Sequence, residues 1–158
     1  MRRVLIVACG NPLRGDDAAG WRIAEALEAR LPAAENEVVT CRQLTPELAE
    51  RMSRAETVLF VDASATAAPG SVSLEPVAAA RAAAATLTHH LEPAALLGLT
   101  RLLYGRAPRR AFALLIGGQS FSLAEELSEP VRRALPEALG KIEAFVTQRT
   151  AESRAVRI

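Results

Sequence analysis

The chain has 158 residues, half of them hydrophobic, with 19 basic and 18 acidic side chains and a net charge of +1. This length suits one globular domain with a substantial core, and the balanced charge excludes a broad electrostatic surface for nucleic acid or an anionic membrane. No uncharged apolar run approaches the ~18 residues that span a bilayer, so we expect a soluble protein that acts through a local site.

The amino-terminal segment predicts a buried strand and not a lipoprotein signal. Its apolar run, Val4–Ala8, is shorter than the ~7 to 15 residues of a secretory signal core, although Cys9 follows it. Cys9 and Cys41 both fall in predicted strands, and two thiols do not make a disulfide framework. We therefore expect reduced cysteines and a cytoplasmic location.

Strands and helices alternate in chain order. The first half predicts, in turn, strand Val4–Cys9, a helix with apolar spacing from Gly20 to Leu31, strand Glu37–Cys41, a helix start at Thr45-Pro46-Glu47, and strand Thr57–Val61 ending at Asp62. The second half predicts edge strand Ser71–Leu74, an alanine-rich segment Ala78–Ala85, a helix from Glu92-Pro93 to Gly105, strand Ala111–Ile116, and a helix from Ser128-Glu129-Pro130 to about Gln148.

This alternation predicts the fold class and the domain organisation. Strands that alternate with helices form a three-layer α/β/α sandwich around a mostly parallel, twisted sheet of about five strands. We expect residues 1–149 to form a single domain and residues 150–158 to be a loose tail. No heptad pattern or other dimerisation helix is present, which makes a monomer the default expectation.

Acidic residues follow two of the predicted buried strands, and a histidine pair follows later. Asp16 and Asp17 lie in the loop after the first strand, Asp62 ends the third, and His89-His90 precedes a helix. Because ligands of open parallel sheets bind beyond the carboxyl ends of the strands, Asp17, Asp62 and a histidine could converge there. Two carboxylates and an imidazole suit a divalent transition-metal ion.

Each of these residues also has a structural interpretation. Asp16 could cap the first helix, Asp62 could form a turn, and a histidine is often structural. The glycines after the first strand are five residues apart, which does not fit a dinucleotide-binding loop, and the adjacent aspartates would repel phosphates. The chain also contains neither a G-x-S-x-G nor an H-E-x-x-H motif, so a hydrolase of this sequence would depend on a metal.

Several motifs together resemble one family. The run from Gly10 to Gly20, G-N-P-L-R-G-D-D-A-A-G, is similar to the signature opening of the [NiFe] hydrogenase maturation proteases. Further similar motifs follow in the same order: Gln43-Leu44-Thr45-Pro46-Glu47-Leu48, Val61-Asp62-Ala63-Ser64, Thr88-His89-His90 and Leu127-Ser128. The resemblance spans nearly the whole chain.

The resemblance implies a site, a substrate and a reaction. In that family two acidic residues and a histidine form the metal site, and the matching positions here are Asp17, Asp62 and His90, with His89 as the alternative histidine. Asn11 and Asp16 would support these ligands by hydrogen bonds. The implied substrate is the hydrogenase large-subunit precursor, whose own bound nickel the protease senses before it removes a C-terminal extension. A chaperone that senses nickel without cleaving is the alternative function.

Overall fold

The computed structural model describes residues 2–80 and 91–156, which form a five-stranded sheet with helices on both faces. The strands are β1 (Arg2–Cys9), β2 (Asn36–Cys41), β3 (Ala55–Ser64), β4 (Val72–Pro76) and β5 (Arg110–Gly117). The helices are α1 (Ala19–Glu28), α2 (Leu48–Ser53), α3 (Pro93–Tyr104) and α4 (Glu129–Val156). A short 3-10 helix, Gly15–Ala18, precedes α1.

The sheet order is β2-β1-β3-β5-β4, with β4 antiparallel to β5 and the other neighbours parallel. In a sheet with this connectivity the carboxyl ends of β1, β2, β3 and β5 lie at one edge. The predicted edge strand is confirmed as β4. The predicted α/β class with a mostly parallel sheet is therefore confirmed.

Two hydrophobic clusters fill the space between the sheet and the helices. One cluster joins the sheet to α1 and α4 through residues such as Ile23, Leu114 and Ile142. The other joins the opposite face to α2 and α3 through residues such as Leu5, Met52 and Leu96. Because helices cover both faces of β1, every residue from Val4 to Ala8 is fully buried, which explains the continuous apolar run of that strand.

Two of the element boundaries that differ from the expectations are explained by hydrogen bonds. The helix expected to begin at Thr45 begins at Leu48, because Thr45 and Pro46 form a turn in which their carbonyls accept bonds from Leu48 and Ala49. Strand β3 continues beyond Asp62 to Ser64, because its pairing with β5 continues to Gly117. Residues 81–90, which include part of the alanine-rich segment, lie outside the described residues.

The expected loose tail at residues 150–158 is instead helical as far as Val156. Side chains of this last part contact the amino edge of the sheet. The Ser153 hydroxyl donates to Glu56 Oε2 at 3.0 Å, and Glu152 pairs with Arg110 and Arg149. Contacts with distant parts of the chain therefore extend α4 beyond what its own sequence predicts.

Within the described ranges, none of the helices combines the length and apolar character that crossing a bilayer requires.

Candidate active site

A crevice of about 370 Å³ lies at the carboxyl edge of the sheet. Its acidic side chains are Asp17, Asp62 and Glu92, and Arg42 supplies a positive charge at its wall. Apolar contacts come from Leu44, Leu91 and neighbouring residues. The structure thus brings together two of the predicted site residues, Asp17 and Asp62, in the place that the sheet topology predicts.

Asp17 is held in the crevice by the loop after β1. The backbone N–H of Asn11 donates to its Oδ2 at 2.7 Å, which leaves Oδ1 without a hydrogen bond from the described part of the chain. Gly10 has a φ of 138°, and a side chain there would place its Cβ 2.0 Å from the Asp17 carbonyl oxygen. Glycine at this position is therefore required for the close approach that positions Asp17.

Asp62 projects into the crevice from within β3, not from a turn after it. Its Oδ1 accepts a hydrogen bond from the N–H of Ala63 at 2.8 Å. Burial, together with the negative charges of Asp17 and Glu92, raises the pKa of Asp62 to about 7, although the Ala63 N–H opposes that rise. Such a carboxylate carries a proton near neutrality unless a cation compensates its charge.

Asp16 has a different role from the one expected, because it neither caps α1 nor bonds to Asp17 or Asp62. It is fully buried, and its carboxylate accepts bonds from the N–H groups of Gln119, Ser120 and Ser128 and from the Ser128 hydroxyl, at 2.7 to 3.0 Å. Burial alone would raise the pKa of Asp16, but these bonds lower it. Asp16 therefore joins the first loop to the loop between β5 and α4.

The Asn11 side chain also differs from expectation. Its Oδ1 accepts the N–H of Leu13 at 3.0 Å, which forms a local turn, whereas the backbone N–H of Asn11 supports Asp17. The interaction expected of the side chain is thus made by the main chain. A sequence pattern cannot distinguish these two donors.

The histidine pair lies outside the described residues, so the predicted ligand His90 and its alternative His89 stay predictions. Leu91, the first described residue after the pair, lines the crevice. Within residues 2–80 and 91–156, no three His, Cys, Asp or Glu side chains are grouped closely enough to hold a metal ion. The complete three-ligand set therefore stays a prediction as well.

Sequence reasoning missed two charged residues of the crevice. Glu92 was interpreted only as a helix start, and it is the N-cap residue of α3, where it adds a third negative charge. Arg42 carries no motif, although it directly precedes the Gln43-Leu44 pair that also lines the crevice. The one feature of the sequence that indicates a role for Glu92 in the site is its position two residues after His90.

A second cavity lies at the opposite edge of the sheet. Arg106, Arg109 and Arg110 line this cavity, of about 440 Å³, together with Arg3 and Arg149. Residues at the starts of β1, β3 and β5 form part of its wall, so it opens at the amino edge of the sheet. It is the larger cavity, but it contains none of the predicted site residues.

Comparisons with known proteins agree with the fold. No family model and no curated protein matches the chain. Among solved structures, hydrogenase maturating endopeptidase HybD from E. coli is 27% identical with a TM-score of 0.71, and the match covers 92% of this chain and 93% of that one. The solution structure of an endopeptidase from Escherichia coli is 26% identical, with a TM-score of 0.74 and the same coverage.

A third structure, the [NiFe] hydrogenase maturation protease HybD from Thermococcus kodakarensis, is 25% identical with a TM-score of 0.65, over 90% of this chain and 98% of that one. These similarities define the class of the protein: it is a hydrolase of the endopeptidase type. Within that class, two of the structures that it resembles over nine tenths of its length are a hydrogenase maturating endopeptidase and a [NiFe] hydrogenase maturation protease. The resemblance predicted from the sequence motifs is thereby confirmed.

Proposed function

We propose that this chain is a metal-dependent endopeptidase that removes a C-terminal extension from a nickel-loaded [NiFe] hydrogenase large subunit. The observation that carries the proposal is the convergence of Asp17 and Asp62 in one crevice of a hydrogenase maturation endopeptidase fold. The nickel belongs to the substrate, and the protein acts as its sensor.

The donor set of the crevice suits such a cation. Asp17 has one carboxylate oxygen free of bonds from the described residues. The pKa of Asp62 is raised by burial and by the negative charges of Asp17 and Glu92, and a bound cation would compensate those charges. Asp17, Asp62 and His90 would hold the substrate's nickel. A bound divalent ion supplies Lewis acidity that polarises a carbonyl or a water molecule.

The residues of the chain would bind and orient the substrate and move a proton. The apolar side chains of Leu44 and Leu91 provide a wall for the peptide extension, and Arg42 can donate to its carbonyl or carboxylate oxygens. A carboxylate oxygen of the crevice that is not bound to the metal would accept a proton from the attacking water. Asp17, which is fixed by the Asn11 N–H, would orient the metal-bound end of the substrate.

We further propose that the protein works in the cytoplasm and as a monomer. Cys9 and Cys41 are free thiols at 3.0 Å, which suits a reducing compartment. Size-exclusion chromatography with light scattering tests the monomeric state, and a dimer at working concentration would contradict it.

The test is intact-mass analysis of a nickel-loaded large-subunit precursor after incubation with the protein, with nickel-free precursor in parallel. We expect loss of a C-terminal peptide only from the loaded precursor. Asp17→Asn, Asp62→Asn and His90→Ala should each lower the cleavage rate by at least about 100-fold, because each removes a metal ligand. Glu75→Gln, at an exposed position on β4, is the matched control and should cleave normally.

The same experiment separates the alternatives. If His89→Ala abolishes cleavage while His90→Ala does not, the ligand is His89. A precursor that binds the protein but stays uncut would instead favour the nickel-sensing chaperone. Equal cleavage of loaded and nickel-free precursors would overturn the metal dependence.

A further inference from the structure

The only two cysteines of the sequence meet at the carboxyl edge of the sheet. Cys9 is the last residue of β1 and Cys41 is the last residue of β2, and the two are register partners in the parallel ladder. Their Sγ atoms lie 3.0 Å apart, and both thiols are reduced. Cys9 also lines the crevice that holds Asp17 and Asp62.

The geometry of the pair suits a covalent bond between the sulfurs. Neighbouring strands lie about 4.8 Å apart, within the range of Cα separations that a disulfide bridges. The short Sγ–Sγ contact shows that both side chains project from the same face of the sheet. The sulfurs would need to approach by only about 1 Å to reach bonding distance.

The two sulfurs differ in accessibility and acidity. Cys9 is only 8% exposed, whereas Cys41 is half-buried. The hydrogen bond that they share lowers the pKa of the Cys41 thiol and raises that of Cys9. Because Cys41 is the more accessible thiol, it is the one that a peroxide reaches first, and Cys9 is placed to react with it second.

We infer that Cys9 and Cys41 form a redox modification site, which a hydroperoxide converts to a reversible disulfide. The Cys41 thiolate attacks the peroxide O–O bond, and the products are a Cys41 sulfenic acid and water or an alcohol. The Cys9 sulfur then attacks Cys41 Sγ and displaces the hydroxyl group as water. Two thiols lose two electrons and two protons, and the peroxide gains them.

The modification would act on the candidate active site through the backbone. The Cys41 carbonyl accepts the N–H of Gly10 at 3.1 Å and Trp21 Nε1–H at 3.1 Å. Gly10 directly precedes Asn11, whose N–H holds the Asp17 carboxylate. Any shift of the Cys41 carbonyl on bond formation would therefore pass to the loop that positions Asp17, and a displacement of about 1 Å there costs about 100-fold in rate. This consequence for cleavage rests on the proposed function, whereas the modification itself does not.

The experiment measures the thiols of the intact protein. The purified chain is treated with a small excess of hydrogen peroxide and then unfolded in urea with N-ethylmaleimide. Its intact mass is measured by mass spectrometry. We expect a mass lower by two hydrogen atoms, no alkylation, and migration as a single chain on a non-reducing gel. Dithiothreitol should restore two reactive thiols. Two alkylated cysteines, added oxygen atoms or disulfide-linked dimers would each overturn the proposal.

The variant Cys41→Ser is the matched control, because serine keeps a donor and an acceptor at the same position. It should show no loss of two hydrogen atoms in peroxide. In the cleavage assay, peroxide should slow the native protein about 100-fold and dithiothreitol should reverse the loss, while Cys41→Ser keeps its activity. A disulfide without any loss of cleavage would overturn the coupling. If the reduced protein fails to cleave, the proposed function fails, and the mass result still decides the disulfide.

Discussion

Two adjacent aspartates of the first loop have opposite environments. Asp16 is fully buried and accepts four hydrogen bonds, whereas Asp17 faces the crevice with one. They lie in a 3-10 helix, where successive side chains point about 120° apart, so one can face the interior while the next faces the ligand. Asp16 is thus structural, and Asp17 is the residue available for chemistry.

The buried charge of Asp62 predicts an unusual dependence of stability on pH. Its folded pKa of about 7 lies above the ordinary 3.8, so the folded state binds a proton more tightly than the unfolded state does. The contribution of Asp62 to stability is full below pH 4 and is lost as the pH rises through 7. We expect Asp62→Asn, which cannot ionise, to be more stable than the native protein at pH 8, by up to about 4 kcal/mol.

Urea denaturation of both proteins at pH 5 and pH 8 measures this difference. The stability advantage of Asp62→Asn over the native protein should be smaller at pH 5 than at pH 8, by about 2 to 3 kcal/mol, because most of the proton release from Asp62 lies between these values. Glu75→Gln, which removes an exposed carboxylate, is the control and should follow the native protein at both values. An Asp62→Asn variant that is equally destabilised at both pH values would contradict the raised pKa.

At the scale of elements, α1 approaches the sheet closely beside the site. Gly20 lies in the first turn of α1, and a Cβ built there would lie 2.8 Å from the Cys9 carbonyl oxygen and 3.1 Å from that of Val61. Both neighbours are backbone atoms of central strands, which cannot rotate away. The absent side chain therefore lets α1, and the 3-10 helix before it, lie close to β1 and β3.

Two glycine substitutions test this contact. Gly20→Ala should destabilise the protein by about 1 to 3 kcal/mol, because the helix must move away from the strands. Gly140→Ala is the matched control in α4, where a Cβ meets nothing within 4 Å, and it should stabilise the protein by about 0.5 to 1 kcal/mol. Urea denaturation measures both, and effects of the same sign would contradict the interpretation.

The sequence predicted those elements whose pattern is local. The apolar run of β1 and the Pro93 and Gly105 signals of α3 identify their elements within a few residues. The end of α4 and the partners of Asp16 depend on residues from distant parts of the chain, which no local pattern contains. The residues that the strand ends bring to the crevice, Asp17 and Asp62, were predictable from the sequence. The presence of Glu92 beside them was not, because it depends on how α3 approaches the sheet.

At the scale of the whole molecule, the net charge is only +1, but the two ends of the molecule carry opposite charges. The crevice at the carboxyl edge contains three carboxylates and Arg42, and the cavity at the amino edge contains five arginines with Glu56 and Glu152. The molecule is therefore polarised along its strands. A cationic centre in a substrate should be drawn to the carboxyl edge.

This separation predicts which arginines affect substrate binding. Arg42→Gln should raise KM for the precursor about tenfold, because it removes a charge-assisted donor from the crevice. Arg106→Gln, which neutralises a charge at the opposite edge, should leave KM and kcat unchanged. Steady-state cleavage assays of the two variants measure the difference, and a larger effect at Arg106 would move the substrate-binding surface to the amino edge.

The burial of Asp16 also determines the stage of synthesis at which the crevice can form. Its partners Gln119, Ser120 and Ser128 are synthesised more than a hundred residues after it, and β5 enters the sheet between β3 and β4, both of which leave the ribosome earlier. Until residue 128 has been synthesised, the first loop therefore lacks the bonds that hold it. A nascent chain shorter than this cannot have a finished crevice, and the capacity to cut requires the strand and loop that follow residue 110.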